Sequence, residues 1–338
     1  MSVEYLLIGL LALAGAPDAG GERLEVPISQ ARFSNGPPRY SIPVSVNGSA
    51  PIDAMLDTGS TGLNVLPGAS ASAKADKSAR PARTFYRNGV VLTGVTTPVS
   101  VSFAEQLTVT TAVSLTQAVT CSPDKPTCPA ASVAPSDYRI GGVSPGEGFK
   151  AIIGVGLRAG AAENPLTKLG GQAWIVVLPQ PGDPSPGKLI LNPSPAERSR
   201  FTLFQLPRDS RGASGPFWAD NAVPTCLSDG KATPICGSGL LDSGAPTIVH
   251  ISRTASQTTW ERGSELELTF GPPGANALKQ DFTVGKGPGT RVESQPPPAN
   301  LPWEGLNLGM LPFFAWAVLY DAKAGVVGLA PRELFAGH

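Results

Sequence analysis

Ala54-Met55-Leu56-Asp57-Thr58-Gly59-Ser60-Thr61 sets a single carboxylate at the end of an apolar run and directly on a turn. The apolar lead-in suits a buried strand, and Gly59 permits a tight reversal that a side chain would block. Asp57 then lies at a strand end with the hydroxyls of Thr58 and Ser60 beside it. One such turn is ordinary, because Asp, Thr, Ser and Gly are common turn residues. The pattern returns at Gly239-Leu240-Leu241-Asp242-Ser243-Gly244-Ala245, again an apolar pair, Asp, a hydroxyl and Gly. Two copies in the two halves of one chain predict two related lobes, each contributing one carboxylate.

The segments around these turns read as strands. Tyr40, Ile42, Val44 and Val46 alternate with Ser41, Pro43 and Ser45, the pattern of a half-buried strand, and Asn47-Gly48 turns it. Leu63, Val65 and Leu66 resume a strand after the Asp57 turn, and Asn88-Gly89 gives a hairpin signal between two strand-like runs. Residues 99–103 and 107–115 continue the alternation. Ile152-Ile153-Gly154-Val155-Gly156 reads as a buried strand making a close approach, and residues 164–169 as a short helix. Residues 174–178 and 189–191 are buried strands. Leu308-Gly309 in the second half answers Ile153-Gly154 in the first. The chain of 338 residues carries 39 glycines and 35 prolines, over a fifth of its length. Turn residues at that density between short β-rich runs predict an all-β protein with material for two lobes, over residues 22–165 and 170–338.

Charge and cysteine content narrow the function classes. Lys and Arg number 26 and so do Asp and Glu, with no run of like charge, so nothing recommends a nucleic-acid partner. Residues 1–16 read as an export signal: an apolar stretch from 5 to 13 ends in small residues, although Glu4 stands where a positive charge is usual. The stretch is short for a membrane span, but anchoring through it stays open. Four cysteines suit an oxidising compartment and allow three pairings; the local ones, Cys121 with Cys128 and Cys226 with Cys236, need least rearrangement. Neither spacing resembles a zinc site, and no histidine is near enough in sequence to complete one. The expected location is periplasmic or secreted.

Taken in order, Asp57-Thr58-Gly59-Ser60, Ile152-Ile153-Gly154, Asp242-Ser243-Gly244, Leu308-Gly309 and the ending Val318-Leu319-Tyr320-Asp321 to Val327-Gly328-Leu329-Ala330-Pro331 resemble the pepsin-like aspartic proteases, in a bacterial-type form. The resemblance runs from about Tyr40 to Pro331. It implies a two-lobed acid-protease fold with the active site in the cleft between lobes. It further implies that Asp57 and Asp242 are the catalytic pair. Thr58, Gly59, Ser60, Ser243, Gly244 and Ala245 would build the two active turns. Ile152, Ile153, Gly154, Leu308 and Gly309 match the strands that support those turns, and Tyr86 and Gly89 fall on the hairpin that closes over substrate. The implied activity is endopeptidase cleavage of a peptide or unfolded protein by a monomer, with no cofactor and no metal.

This sequence departs from the family pattern at three places. Ala245 stands where many members carry Thr or Ser, so Asp242 is expected to lack a counterpart of Ser60. On that expectation the pair keeps its proton to higher pH, and Ala245→Thr lowers the alkaline limb of activity. Asn64 stands where a Trp commonly supports the hairpin tyrosine, and the hairpin is one residue longer. Rival readings are the same fold without activity, serving as an extracytoplasmic binding or scaffold protein, and a serine hydrolase built on Gly142-Val143-Ser144-Pro145-Gly146. The latter lacks the strand and helix that expose such a serine. His250 reads as a packed histidine beside the Asp242 turn, and Glu265 and Glu267 as the solvent face of a strand.

Overall fold

Period-two alternation and frequent turn residues produce a nearly all-β protein. The computed structural model describes residues 21–335 apart from 71–73, 105–106, 213–214, 255–259, 273–276 and 298–302. The expected export signal at residues 1–16 lies outside the described residues. The strands of the first half are β1 (Leu24–Arg32), β2 (Pro38–Val46), β3 (Ile52–Asp57), β4 (Thr61–Val65), β5 (Arg80–Phe85), β6 (Val90–Phe103), β7 (Leu107–Cys121) and β8 (Ala151–Val155). Then come β9 (Ala173–Val177), β10 (Gly187–Leu191), β11 (Thr202–Gln205), β12 (Val223–Ser228), β13 (Ile235–Leu240) and β14 (Ile248–Ile251). The last are β15 (Glu265–Phe270), β16 (Leu278–Thr283), β17 (Val292–Gln295), β18 (Gly305–Asn307), β19 (Trp316–Asp321) and β20 (Val326–Pro331). Helix among the described residues is confined to single turns. One is Pro165–Lys168, capped by the Asn164 side chain, where a short helix was expected.

Two sheets carry the strands, one of 13 in the order β11-β20-β19-β9-β10-β1-β2-β3-β8-β4-β7-β6-β5 and one of seven, β16-β15-β12-β13-β18-β14-β17. A single four-strand arrangement occurs in both. In the first, β8 lies between β3 and β4, parallel to β3 and antiparallel to β4, with β7 parallel to β4 beyond. In the second, β18 lies between β13 and β14 with the same directions, and β17 runs parallel to β14. The Asp57 turn joins β3 to β4 and the Asp242 turn joins β13 to β14. The 13-stranded sheet draws strands from both sides of residues 165–170, because β1 pairs with β10 over Leu24–Ile28 and with β2 over Ser29–Arg32.

From Ala54 to Leu56 the strand leading into Asp57 is apolar because both its faces are covered there. Ala54 and Leu56 point into the main core, whereas Met55 points into a second cluster with Leu92, Tyr138 and Phe149. β8 alternates likewise, Ile153 into the first and Ile152 into the second. Each fully buried aliphatic side chain contributes about 2 kcal/mol through its burial, so the strands under the turns are strongly held. Both local disulfides are formed, Cys226–Cys236 across the β12–β13 hairpin and Cys121–Cys128 around a run of turns after β7. They fit an oxidising, extracytoplasmic environment. No helix among the described residues is long and apolar enough to cross a membrane.

Candidate active site

Each carboxylate sits where its strand ends and its turn begins. The Asp57 turn folds back on itself, with the Gly59 N–H donating to Asp57 Oδ1 at 2.8 Å and the Ser60 hydroxyl donating to Oδ2 at 2.6 Å. In the second turn the Gly244 N–H donates to Asp242 Oδ1 at 2.9 Å. The turns are bound to one another by four reciprocal bonds. Thr58 N–H donates to Ser243 Oγ at 3.1 Å, and Ser243 N–H to Thr58 Oγ1 at 2.9 Å. The Thr58 hydroxyl donates to Leu241 O and the Ser243 hydroxyl to Leu56 O, both at 2.8 Å. All six groups are buried, where an unmet one costs about 1–3 kcal/mol, so the network fixes the relation of the turns.

The glycines let the carboxylates meet. A Cβ on Gly59 would lie 2.3 Å from Asp242 Cγ, and one on Gly244 would lie 2.6 Å from Asp57 Oδ1. Asp57 and Asp242 are in hydrogen-bond contact and nearly buried. Burial first, and then the neighbouring Asp242 charge, push the Asp57 carboxyl up to about 7 against the downward pull of Ser60 and Gly59. Two carboxylates in contact cannot both ionise cheaply, so the pair holds one proton.

The expectation that Asp242 lacks a side-chain donor is wrong. Asn307, at the end of β18, donates from Nδ2 to Asp242 Oδ2 at 2.6 Å. The register Leu240↔Asn307 sets this residue beside the strand end that carries Asp242. Ala245 itself is buried and contributes only its backbone, to Met310 and Asp242. A polar residue between Leu306 and Leu308 in a buried strand must find a partner, and that was the available signal. Three further residues had no clear signal. Arg158 donates to Gly59 O at 2.6 Å and pairs with Asp220 at 3.0 Å. Asp220, itself raised by burial, also accepts the Leu157 N–H at 2.5 Å. Arg39 is buried on β2, and its charge and that of Asp242 attract.

The pair opens into a cleft of about 640 Å³ lined by both sheets' residues, among them Ser60, Tyr86, Arg158, Ile251, Trp303 and Asn307. Tyr86 opens the β5–β6 turn; its hydroxyl is buried without a partner, and burial and the Asp57 charge raise it well above the usual phenol range. Asn64 Oδ1 accepts the Thr84 hydroxyl at 3.2 Å, holding β5 to β4. Gly89 does not line the cleft. It takes the left-handed position of the turn, at φ +90°, and packs on Lys125. Its carbonyl accepts the Ser122 N–H at 2.7 Å, and Lys125 Nζ donates to Arg87 O at 2.7 Å, so the Cys121–Cys128 loop pins the hairpin tip.

Ile152, Ile153 and Gly154 run beneath the Asp57 turn on β8, with Asp57 opposite Gly154. Leu308 and Gly309 follow β18 beneath the other turn, where the Asp242 N–H donates to Gly309 O at 3.2 Å. A larger cavity of about 970 Å³ lies under the 127–150 loop and contains Ser144, but neither carboxylate nor a histidine lines it. Ser144 bonds Ser34 at 2.8 Å in that surface loop. His250 faces Ser294 Oγ at 3.3 Å on β14, and Glu267 pairs with Lys279. No group of three or more metal-ligating side chains occurs among the described residues. The site is thus a buried carboxylate pair on two matching turns of an all-β protein. The chain matches no family model, and no curated protein matches it.

Proposed function

We propose that this chain is an aspartic-type endopeptidase of two-lobed, pepsin-like architecture that takes an extended peptide or unfolded protein into the cleft as a monomer, outside the cytoplasm. The observation that carries the reading is the contact between Asp57 and Asp242 at the floor of a peptide-sized cleft, with each carboxylate on its own copy of one turn. The ionised carboxylate removes a proton from a water held between the pair. The resulting oxygen nucleophile attacks the peptide carbonyl, and the protonated carboxyl gives its proton to the carbonyl oxygen as charge develops there. Collapse of the tetrahedral species breaks the C–N bond, with a proton delivered to the departing amine. Tyr86 lines this cleft from the β5–β6 turn and is positioned to meet substrate.

The test is digestion of an unfolded protein by the wild type beside Asp57→Asn and Asp242→Asn. Each variant should lose more than about a hundredfold in kcat/KM while keeping its circular dichroism, because one carboxylate cannot be base and acid together. Comparable cleavage by either variant refutes the reading. Peptide binding without cleavage by the wild type would favour the binding or scaffold role.

A further inference from the structure

Asp57 and Asp242 receive equal numbers of hydrogen bonds from unlike donors. Each accepts one N–H from the glycine two residues on. The second donor is the Ser60 hydroxyl for Asp57 and the Asn307 amide for Asp242, each at 2.6 Å. A hydroxyl works in both directions, donating to an ionised carboxylate and accepting from a protonated one. An amide NH2 only donates. Asn307 cannot turn its oxygen round instead, because Oδ1 accepts the Gly309 N–H at 3.0 Å and a main-chain N–H has no acceptor face.

The two carboxylates therefore respond differently to a proton. On Asp242 it weakens a charge-assisted bond, and Asn307 has no compensating move. On Asp57 it leaves Ser60 free to rotate and accept. The buried Arg39 guanidinium on β2 acts in the same direction, by attracting the Asp242 charge. Of the charged groups that line the cleft with the pair, Asp209 and Arg211 are bound to one another, Arg83 lies over the Phe85 ring, and Arg87 is on the hairpin tip. Tyr86 and Tyr320 are phenols that burial keeps neutral, and Arg158 is engaged by Asp220.

We propose that Asn307 is a positioning residue that holds Asp242 as the ionised member of the pair and leaves the shared proton on Asp57. Under the peptidase reading, on which this clause alone rests, Asp242 is the base toward water and Asp57 the acid toward the carbonyl oxygen.

An epoxide reads the assignment without any peptide. With p-nitrophenyl glycidyl ether, the ionised carboxylate attacks a ring carbon and forms an ester. The ring C–O bond breaks, and its oxygen takes the proton from the neutral carboxyl. Mass spectrometry of a digest then locates the ester. We expect it on Asp242 in the wild type and on Asp57 in Asn307→Leu, where Asp57 keeps two donors against one. A hydrogen bond to a charged group makes that a roughly tenfold or greater change in the ester ratio. Should Asn307→Leu not fold, Asn307→Ala serves, and the wild-type result stands by itself. Ester on Asp57 in the wild type, or on Asp242 in both proteins, overturns the proposal. A protein that esterifies at Asp242 yet cleaves nothing refutes the peptidase reading and leaves the proton assignment intact.

Discussion

At the scale of single residues, the second carboxylate is served by a donor that comes from another strand. Ala245→Thr is accordingly expected to move the alkaline limb of kcat/KM by less than about half a unit, since Asn307 already occupies Asp242 Oδ2. Asn307→Leu should move that limb upward by about one unit, because it removes a bond that favours the charged form. A pH–rate series on the three proteins checks both. The limb itself is still expected near neutrality, but from burial and like charge at Asp57 and not from a missing hydroxyl. The same shift has a sign in stability. A carboxyl raised in the folded state contributes stability that is full below its ordinary range and lost as pH rises through about 7. Asp57→Asn should then melt like the wild type at pH about 3 and be more stable by on the order of 2 kcal/mol at pH about 8. Thermal melts of both proteins at both pH values decide it. The pair was legible in the sequence because a turn motif occurred twice. Asn307 was legible only as a polar residue between two leucines that needs a partner, because which partner it meets depends on the strand pairing with Leu240.

At the scale of elements, the β5–β6 hairpin is held from outside. Asn88-Gly89 correctly marked a turn, but Gly89 serves a three-residue loop with a left-handed glycine, and its neighbours are Lys125 and Cys128. That contact joins two segments which sequence alone treats separately. Replacing Cys121 and Cys128 by serine should cost roughly 2 kcal/mol and loosen the tip, raising KM more than it lowers kcat. Urea titration and steady-state kinetics on the double variant test this; an unchanged KM would mean that Lys125 alone fixes the hairpin. Further along, Gly94 sits at a register shift, and a Cβ there would come within 2.0 Å of the Leu115 carbonyl oxygen. Gly94→Ala should therefore destabilise by about 2 kcal/mol or more, measured by the same titration.

At the scale of the whole molecule, two related halves were anticipated from the two turns and the answering Ile153-Gly154 and Leu308-Gly309, though not the four-strand order that they share. The sharing of one sheet between the halves was not. Alternation reports which face of a strand is buried, but it is silent on partners, and β1 reads like any half-buried strand. In the structure β1 spends its first half on β10 and its second on β2. Val26 and Ile28 lie in the main core, so Val26→Ala should cost about 2–3 kcal/mol. Calorimetry should show one transition, because the strand and the reciprocal bonds between the two turns couple the halves. Two separated transitions in the wild type would contradict that coupling.

The split allegiance of β1 also has a kinetic consequence. Its partners on β2 are made within moments of it, whereas β10 follows about 160 residues later, roughly 8–30 s at ordinary rates of synthesis. Through that interval the Leu24–Ile28 half is a bare edge, and edges invite pairing with other chains. Glu25 and Pro27 interrupt it, one with a charge and one with a missing N–H, and both devices discourage such pairing. Pro27→Val should leave the melting temperature within a few degrees of the wild type, yet lower the yield of soluble protein on refolding from denaturant at rising concentration. A proline that does little for the finished fold thus protects the chain while it waits for its partner.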